Sequence, residues 1–318
     1  MSNATMARRP LWLWPNLLSL DAPIVALVWF WMYKQVWLVK YHQPTLPWFL
    51  ALAVWCIYVG DRLMDERLAG RDGGRPTARH RFHRQHRGSL KLALAMGIFG
   101  ALFLLAIQSR GLHIHGLPIL LPVLAYFVVS FSDGGRNVSF FKNILAGVAF
   151  AYGVAVGVHF RRERPFWDLA LSPEVVVFAG LCIINMIAID HWESSSRGKN
   201  EKEEPGEQER EHREVYRALL LGLLLVLIVA SYLLAVRAED YTLQTHKAFY
   251  LSIIVGAGGL GFLVLLRDLF SSDLLRVLAD VAMVLPLPFF YFYLVDYEII
   301  EFGHFSWNLT APGQLDGG

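Results

Sequence analysis

Leu46 to Asp65 reads LPWFLALAVWCIYVGDRLMD, a stretch that carries no charge until Asp61, Arg62 and Asp65 close it. At about 1.5 Å rise per residue, a helix over Leu46 to Met64 nearly spans a hydrocarbon core of about 30 Å. Residues four apart lie one above the other on a helix, so Asp61 and Asp65 converge on one side. Carboxylates beside lipid are costly, and two on one face mark a functional site by default.

Composition extends that reading to the whole chain. Of 318 residues, 55% are hydrophobic and 18% charged, with mean hydropathy +0.41, outside the range of soluble domains. Nine apolar segments are expected to span a membrane: Leu17–Val39, Leu46–Met64, Leu90–Ser109, Leu117–Phe131, Phe141–His159, Val175–Ile189, Ala218–Val236, Ala248–Leu266 and Val277–Val295. The fold class is therefore an all-α polytopic membrane protein in one transmembrane domain. Nine spans divide the 29 Lys and Arg residues into 21 on the N-terminal side and 8 on the other. Positive charge accumulates on the cytoplasmic side, so the N-terminus is expected there and the C-terminus opposite. The expected location is a bacterial inner membrane.

This topology assigns the polar stretches. Residues 66–89, with Arg71, Arg75 and five further arginines, form a basic cytoplasmic cap loop; residues 194–214 form a second charged cytoplasmic loop; residues 296–318 form a non-cytoplasmic tail. Membrane lipids are expected partners and nucleic acid is not. Cys56 and Cys182 both fall inside spans, which argues against a structural disulfide. The Gly256, Gly258, Gly259 and Gly261 cluster suits close helix packing, because nucleotide binding would require a preceding strand.

A second acid pair, Asp190 and Glu193, lies three residues apart at the end of the sixth span, again on one helical face. With Asp21 and Asp280, all these acids fall at the cytoplasmic ends of their spans, which predicts an acid-lined mouth before an apolar cavity. Asn185, Tyr58 and Asp21 are candidate cavity residues, and Trp29, Trp31, Trp55, Tyr126 and Phe127 candidate walls. Acid pairs on two helices suit Mg²⁺, a hard cation that completes its shell with water and phosphate oxygens, while arginines match phosphate with planar forks of donors.

These residues resemble the UbiA superfamily of intramembrane prenyltransferases. Asp61-Arg62-Leu63-Met64-Asp65 resembles the last two aspartates of that family's first signature, with Arg71 as its intermediate basic residue and Arg75-Pro76 as its Arg-Pro element. Asp190-His191-Trp192-Glu193 looks like the second signature, followed by Arg197 or Lys199, and Lys142 resembles the lysine aimed at the diphosphate. The resemblance implies a nine-helix bundle around a central cavity open to the cytoplasm. It also implies Mg²⁺-assisted transfer of a prenyl group from a prenyl diphosphate to an aromatic or other lipophilic acceptor. Asp61, Asp65, Asp190 and Glu193 would be the catalytic metal ligands, and Arg62, Arg71, Arg75, Lys142 and Arg197 would bind the diphosphate.

The chain departs from the pattern at three positions. Ile57 and Tyr58 stand where the first signature begins Asn-Asp, and Ile183 lies near the place of an upstream carboxylate of the second. The alternative is a non-catalytic UbiA-like lipid-binding or transport protein. A membrane CDP-alcohol phosphotransferase is disfavoured, because Asp72-Gly73-Gly74-Arg75-Pro76-Thr77 does not match its Asp-Gly-x-x-Ala-Arg pattern.

Overall fold

In hydrocarbon the backbone finds no water, so an apolar segment must close its hydrogen bonds within itself. The nine apolar segments do so as helices, and no strand occurs among the described residues. A computed structural model describes residues 11–69, 82, 84–131, 136–162, 164–197, 207–238 and 244–296. The helices that build the bundle are α1 (Asp21–Val36), α2 (Leu46–Ala69), α3 (Arg87–Ala106), α4 (Leu120–Phe131), α5 (Arg136–His159), α6 (Pro173–Arg197), α7 (Glu207–Arg237), α8 (Gln244–Leu265), α9 (Ser272–Val284) and α10 (Pro286–Asp296).

Among the described residues, eight spans are long and apolar enough to cross a membrane, which makes the chain a multi-pass membrane protein by length and composition. The expected spans shift in informative ways. The fourth begins at Arg110, because the short helix Arg110–Gly116 and a 3₁₀ turn over Leu117–Ile119 lead into α4. The last starts at Ser272 and is broken between α9 and α10, where Pro286 lacks the N–H needed to continue the ladder. The first is shorter than expected. Ser19 (φ 59°) and Leu38 (φ 53°) adopt left-handed backbone on either side of α1, which leaves 16 helical residues, about 24 Å at 1.5 Å each.

The two segments expected to be charged loops are shorter than expected as well. α2 runs to Ala69 and α3 begins at Arg87, while α6 continues to Arg197 and α7 starts at Glu207. The charged flanks are helical because each extends a helix already nucleated in the apolar segment. Residues 297–318 lie outside the description.

Lipid tails are as apolar as leucine, so packing and polar contacts decide which helices meet. α1 is enclosed by α2, α5, α8, α9 and α10. Trp29 stacks on Phe178 at 4.1 Å, meets Phe249 edge-on at 5.4 Å and donates its Nε1–H to the Met283 carbonyl at 2.9 Å. At one end of the bundle, Glu174 in the first turn of α6 is buried; it accepts from the Tyr250 hydroxyl at 2.7 Å and from Ser172. Tyr33 of α1 donates to the Glu174 carbonyl at 3.2 Å. α3 contrasts with these helices, packing chiefly on α2 with Gly97 its one buried residue.

Candidate functional site

Phe49, Ala53, Ile57 and Asp61 recur every four residues along α2, and all four line one cavity of about 510 Å³. That ridge, about 18 Å long at 1.5 Å per residue, passes from hydrocarbon to carboxylate. α1, α4 with the short helix and 3₁₀ turn that lead into it, α5, α6 and α9 supply the other walls. Leu112, Ile119, Leu120, Phe150 and Val156 line the apolar portion, and Asp21, Asp190, Glu193, Lys142, Arg276 and Asp280 contribute charge. The volume is that of a small-molecule site.

The first signature supplies one wall of the mouth. Asp61 lies 3.0 Å from Lys142 Nζ and accepts a hydrogen bond from the Tyr126 hydroxyl, which joins α2, α5 and α4 at that point. Lys142 Nζ also stands 5.3 Å from the centroid of the Tyr126 ring, where the negative π face attracts it. Arg62, one residue on, is rotated about 100° around the helix and turns away from the cavity. It is 4% exposed, donates through Nη1 to the Asn16 carbonyl at 2.7 Å and to Ser19 Oγ at 2.6 Å, and meets Asp21 through Nη2 at 3.3 Å. The expected diphosphate contact from Arg62 is therefore corrected: this guanidinium staples the turn before α1 to α2.

The second signature faces the same cavity. Asp190 Oδ2 accepts from Ser139 Oγ at 2.6 Å and from Asn143 Nδ2 at 3.1 Å, and Glu193 is ion-paired with Arg276 of α9. Asp61, Asp190, Glu193, Lys142, Asn185, Tyr58 and Asp21 thus all line one cavity. The side chains of Asp65 and Arg197, and both Arg71 and Arg75 entirely, lie outside the described residues. Among the aromatic candidates, Tyr58 and Tyr126 line the cavity. Trp29 is committed to the core, Trp55 donates to the Leu18 carbonyl at 3.0 Å on the α3 side, and Trp31 and Phe127 are not in the lining.

Sequence reading passed over Ser139, Asn143 and Arg276. Ser139 stands three residues before Lys142 and four before Asn143, which puts a polar stripe on one side of an otherwise apolar span. Arg276 and Asp280 are four apart on α9, where a charged pair within a span is equally conspicuous. His191 faces elsewhere: it stacks on Tyr216 at 4.3 Å and meets Arg267 at 2.9 Å.

Magnesium favours hard oxygen donors, and the mouth offers them in kind. Asp190 meets neutral donors, and the Asn185 Oδ1 is buried without a hydrogen-bond partner. Among the described residues, no three His, Cys, Asp or Glu side chains stand close enough to enclose an ion by themselves. The donor set fits a cation that draws the rest of its shell from water and substrate oxygens.

Comparison with known proteins finds no matching family model, no matching curated protein and no matching solved structure.

Proposed function

We propose that the chain is a UbiA-like intramembrane prenyltransferase. In this reading the cavity holds a prenyl diphosphate with its head among the charged residues and its chain along the α2 ridge, and an aromatic or other lipophilic acceptor enters beside it. The observation that carries the reading is the cavity's polarity: acids and bases from five helices gather around it, with an aliphatic chamber continuous with them.

Each residue has a task that follows from its chemistry. Lys142, ion-paired with Asp61, brings to the cavity an ammonium whose N–H groups can donate to a phosphate oxygen. Arg276, oriented by Glu193, adds a second cation. Asp61 with Asp65 on one helix, and Asp190 with Glu193 on another, would each hold Mg²⁺ that draws the rest of its shell from water and phosphate oxygens, and such ions would supply charge neutralisation to the departing diphosphate. The aliphatic walls exclude water, and the faces of Tyr58 and Tyr126 tolerate positive charge developing on the allylic carbon.

The test uses purified protein in lipid nanodiscs, a prenyl diphosphate series and a panel of phenolic acceptors. Binding should strengthen with Mg²⁺, and prenyl transfer should release diphosphate. Lys142→Met should lower turnover by about 10²-fold, the usual cost of one electrostatic contact to a developing charge. Asp61→Ala should weaken donor binding in Mg²⁺ and leave it unchanged without the ion. Folded wild-type protein that binds no prenyl diphosphate with or without Mg²⁺ would remove this reading.

A second reading is favoured by the partners of the described carboxylates. Asp61, Asp190 and Glu193 each already meet a donor from the protein, so the network is closed without an ion. A lipid-binding or transport protein with the same chamber would bind a prenyl lipid and release no diphosphate.

A further inference from the structure

The connection from α3 to α4 passes the end of the cavity opposite its charged mouth. Its short helix, Arg110–Gly116, packs on α5 and on the 3₁₀ turn Phe160–Arg162. Leu112, Gly116 and Ile119 of this connection line the cavity, at the level where α2 begins with Phe49 and α5 ends with Val156. Leu112 and Ile119 are buried.

Side chains tie the connection down on two sides. Gln43, ahead of α2, donates through Nε2 to the Ile107 carbonyl at 2.8 Å, and Gln108 Nε2 donates to Thr45 Oγ1 at 3.1 Å. On the α5 side, His115 Nε2 lies 3.2 Å from the Arg164 carbonyl. Gly111 stands so close to Phe160 that a Cβ there would lie 3.1 Å from Phe160 Cδ2. A hydrocarbon chain that pushed past Leu112 would have to break these polar contacts, and an apolar group offers nothing to replace them.

The two helices that run the length of the cavity give its depth. Asp61 to Phe49 covers about 18 Å of α2, and Lys142 to Val156 about 21 Å of α5, at 1.5 Å rise per residue. An extended chain advances about 3.6 Å over three bonds, so a four-bond isoprene unit takes about 4.8 Å. The depth is therefore that of about four units. α5 lines this length with Ala146, Ala149 and Gly153, spaced three and four on one face, where side chains this small leave width for a chain.

We propose that the short helix Arg110–Gly116 is the floor of the chain pocket and makes the cavity a ruler that admits prenyl donors of up to about four isoprene units. This rests on the prenyl-transfer reading and names the donor class within it. The diphosphate is fixed at the mouth by charge, so every added unit extends toward Leu112, and a fifth has no apolar space left to fill.

Binding of prenyl diphosphates of one to six units to the full chain in lipid nanodiscs tests the ruler, with donor expressed per lipid so that partition into the bilayer does not imitate a length effect. Affinity should be level up to about four units and fall by about tenfold or more beyond them, the lower scale of forcing extra methylenes into filled space. Ala53→Phe, which adds a ring on the α2 ridge about 12 Å from Asp61, should move the limit down to about two units. Leu112→Ala should move it up, because it deepens the floor. Melting temperatures report whether each variant folds. A wild-type protein that takes six units as readily as three, or a limit that stays in place in both variants, overturns the proposal. A parallel series of n-alkyl phosphates, which have no allylic carbon and cannot react, separates the ruler from the reaction. A length limit in that series without any prenyl transfer would remove the transfer reading and keep the ruler, and no length limit in either series removes the ruler.

Discussion

Adjacent charges in one motif end in opposite environments. Asp61 faces the cavity with Lys142, while Arg62 is buried against Asn16, Ser19 and Asp21. Removing one partner of a buried pair leaves the other charge without compensation. Arg62→Met is therefore expected to destabilise the protein by about 3–5 kcal/mol, read as a lowered melting temperature in detergent. Arg62→Lys should recover part of that loss at most, because one ammonium cannot reproduce a planar fork that meets three acceptors. Equal stability of wild type and Arg62→Met would remove the staple from Arg62 and return it to the pool of candidate phosphate ligands.

Helix contacts are set by small residues where two backbones come close. Gly147 on α5 is the tightest: a Cβ there would lie 2.6 Å from Ile183 Cγ1, 2.8 Å from its N and 2.9 Å from its Cα. The backbone of α6 cannot yield as a side chain would, so Gly147→Ala should cost about 1–3 kcal/mol by overpacking. It should also reduce donor binding, because Lys142 and Asp190 lie on the two helices it separates. Gly222 on α7 has open space around it. Gly222→Ala should therefore be neutral or stabilise by up to about 1 kcal/mol through better helix propensity. Thermal unfolding of both variants checks the contrast. The glycine cluster of α8 behaves as close packing predicts at Gly256, which faces Leu181 and Pro286, and at Gly259, which faces Ala282, whereas Gly258 faces open space.

For the whole molecule, the distribution of Lys and Arg predicts which end faces the cytoplasm. Tyr41 lies after the first span and is exposed, and Glu211 is exposed at the start of α7; five crossings separate them. Cys56 and Cys182 are both free and are replaced first. A membrane-impermeant thiol reagent should then label Tyr41→Cys in intact bacterial cells and Glu211→Cys after the membrane is opened. The reverse pattern would invert the orientation, and labelling of both from outside would break the span count between them. The C-terminal half of the prediction, a tail on the side opposite the N-terminus, concerns residues 297–318, outside the description.

The amino-acid sequence by itself determined that this is a helical membrane protein, because apolar length and charge asymmetry are properties of the chain that lipid reads directly. It also placed Asp190 and Glu193 on one helical face and Asp61 at a similar depth in another span, since a spacing of three fixes a face, whereas the packing of the helices brought the three to one cavity. Tertiary structure alone decided the partners of those acids. Arg62 and Asp21 are separated by 41 residues, and Glu193 and Arg276 by 83; no local periodicity brings such residues together. The helix ends were likewise decided in three dimensions: left-handed turns at Ser19 and Leu38 cut α1 short, and the charged ends of α2 and α6 stayed helical by extending apolar segments. A pattern along one helix names the face it presents, but the packing of the other helices selects what that face meets.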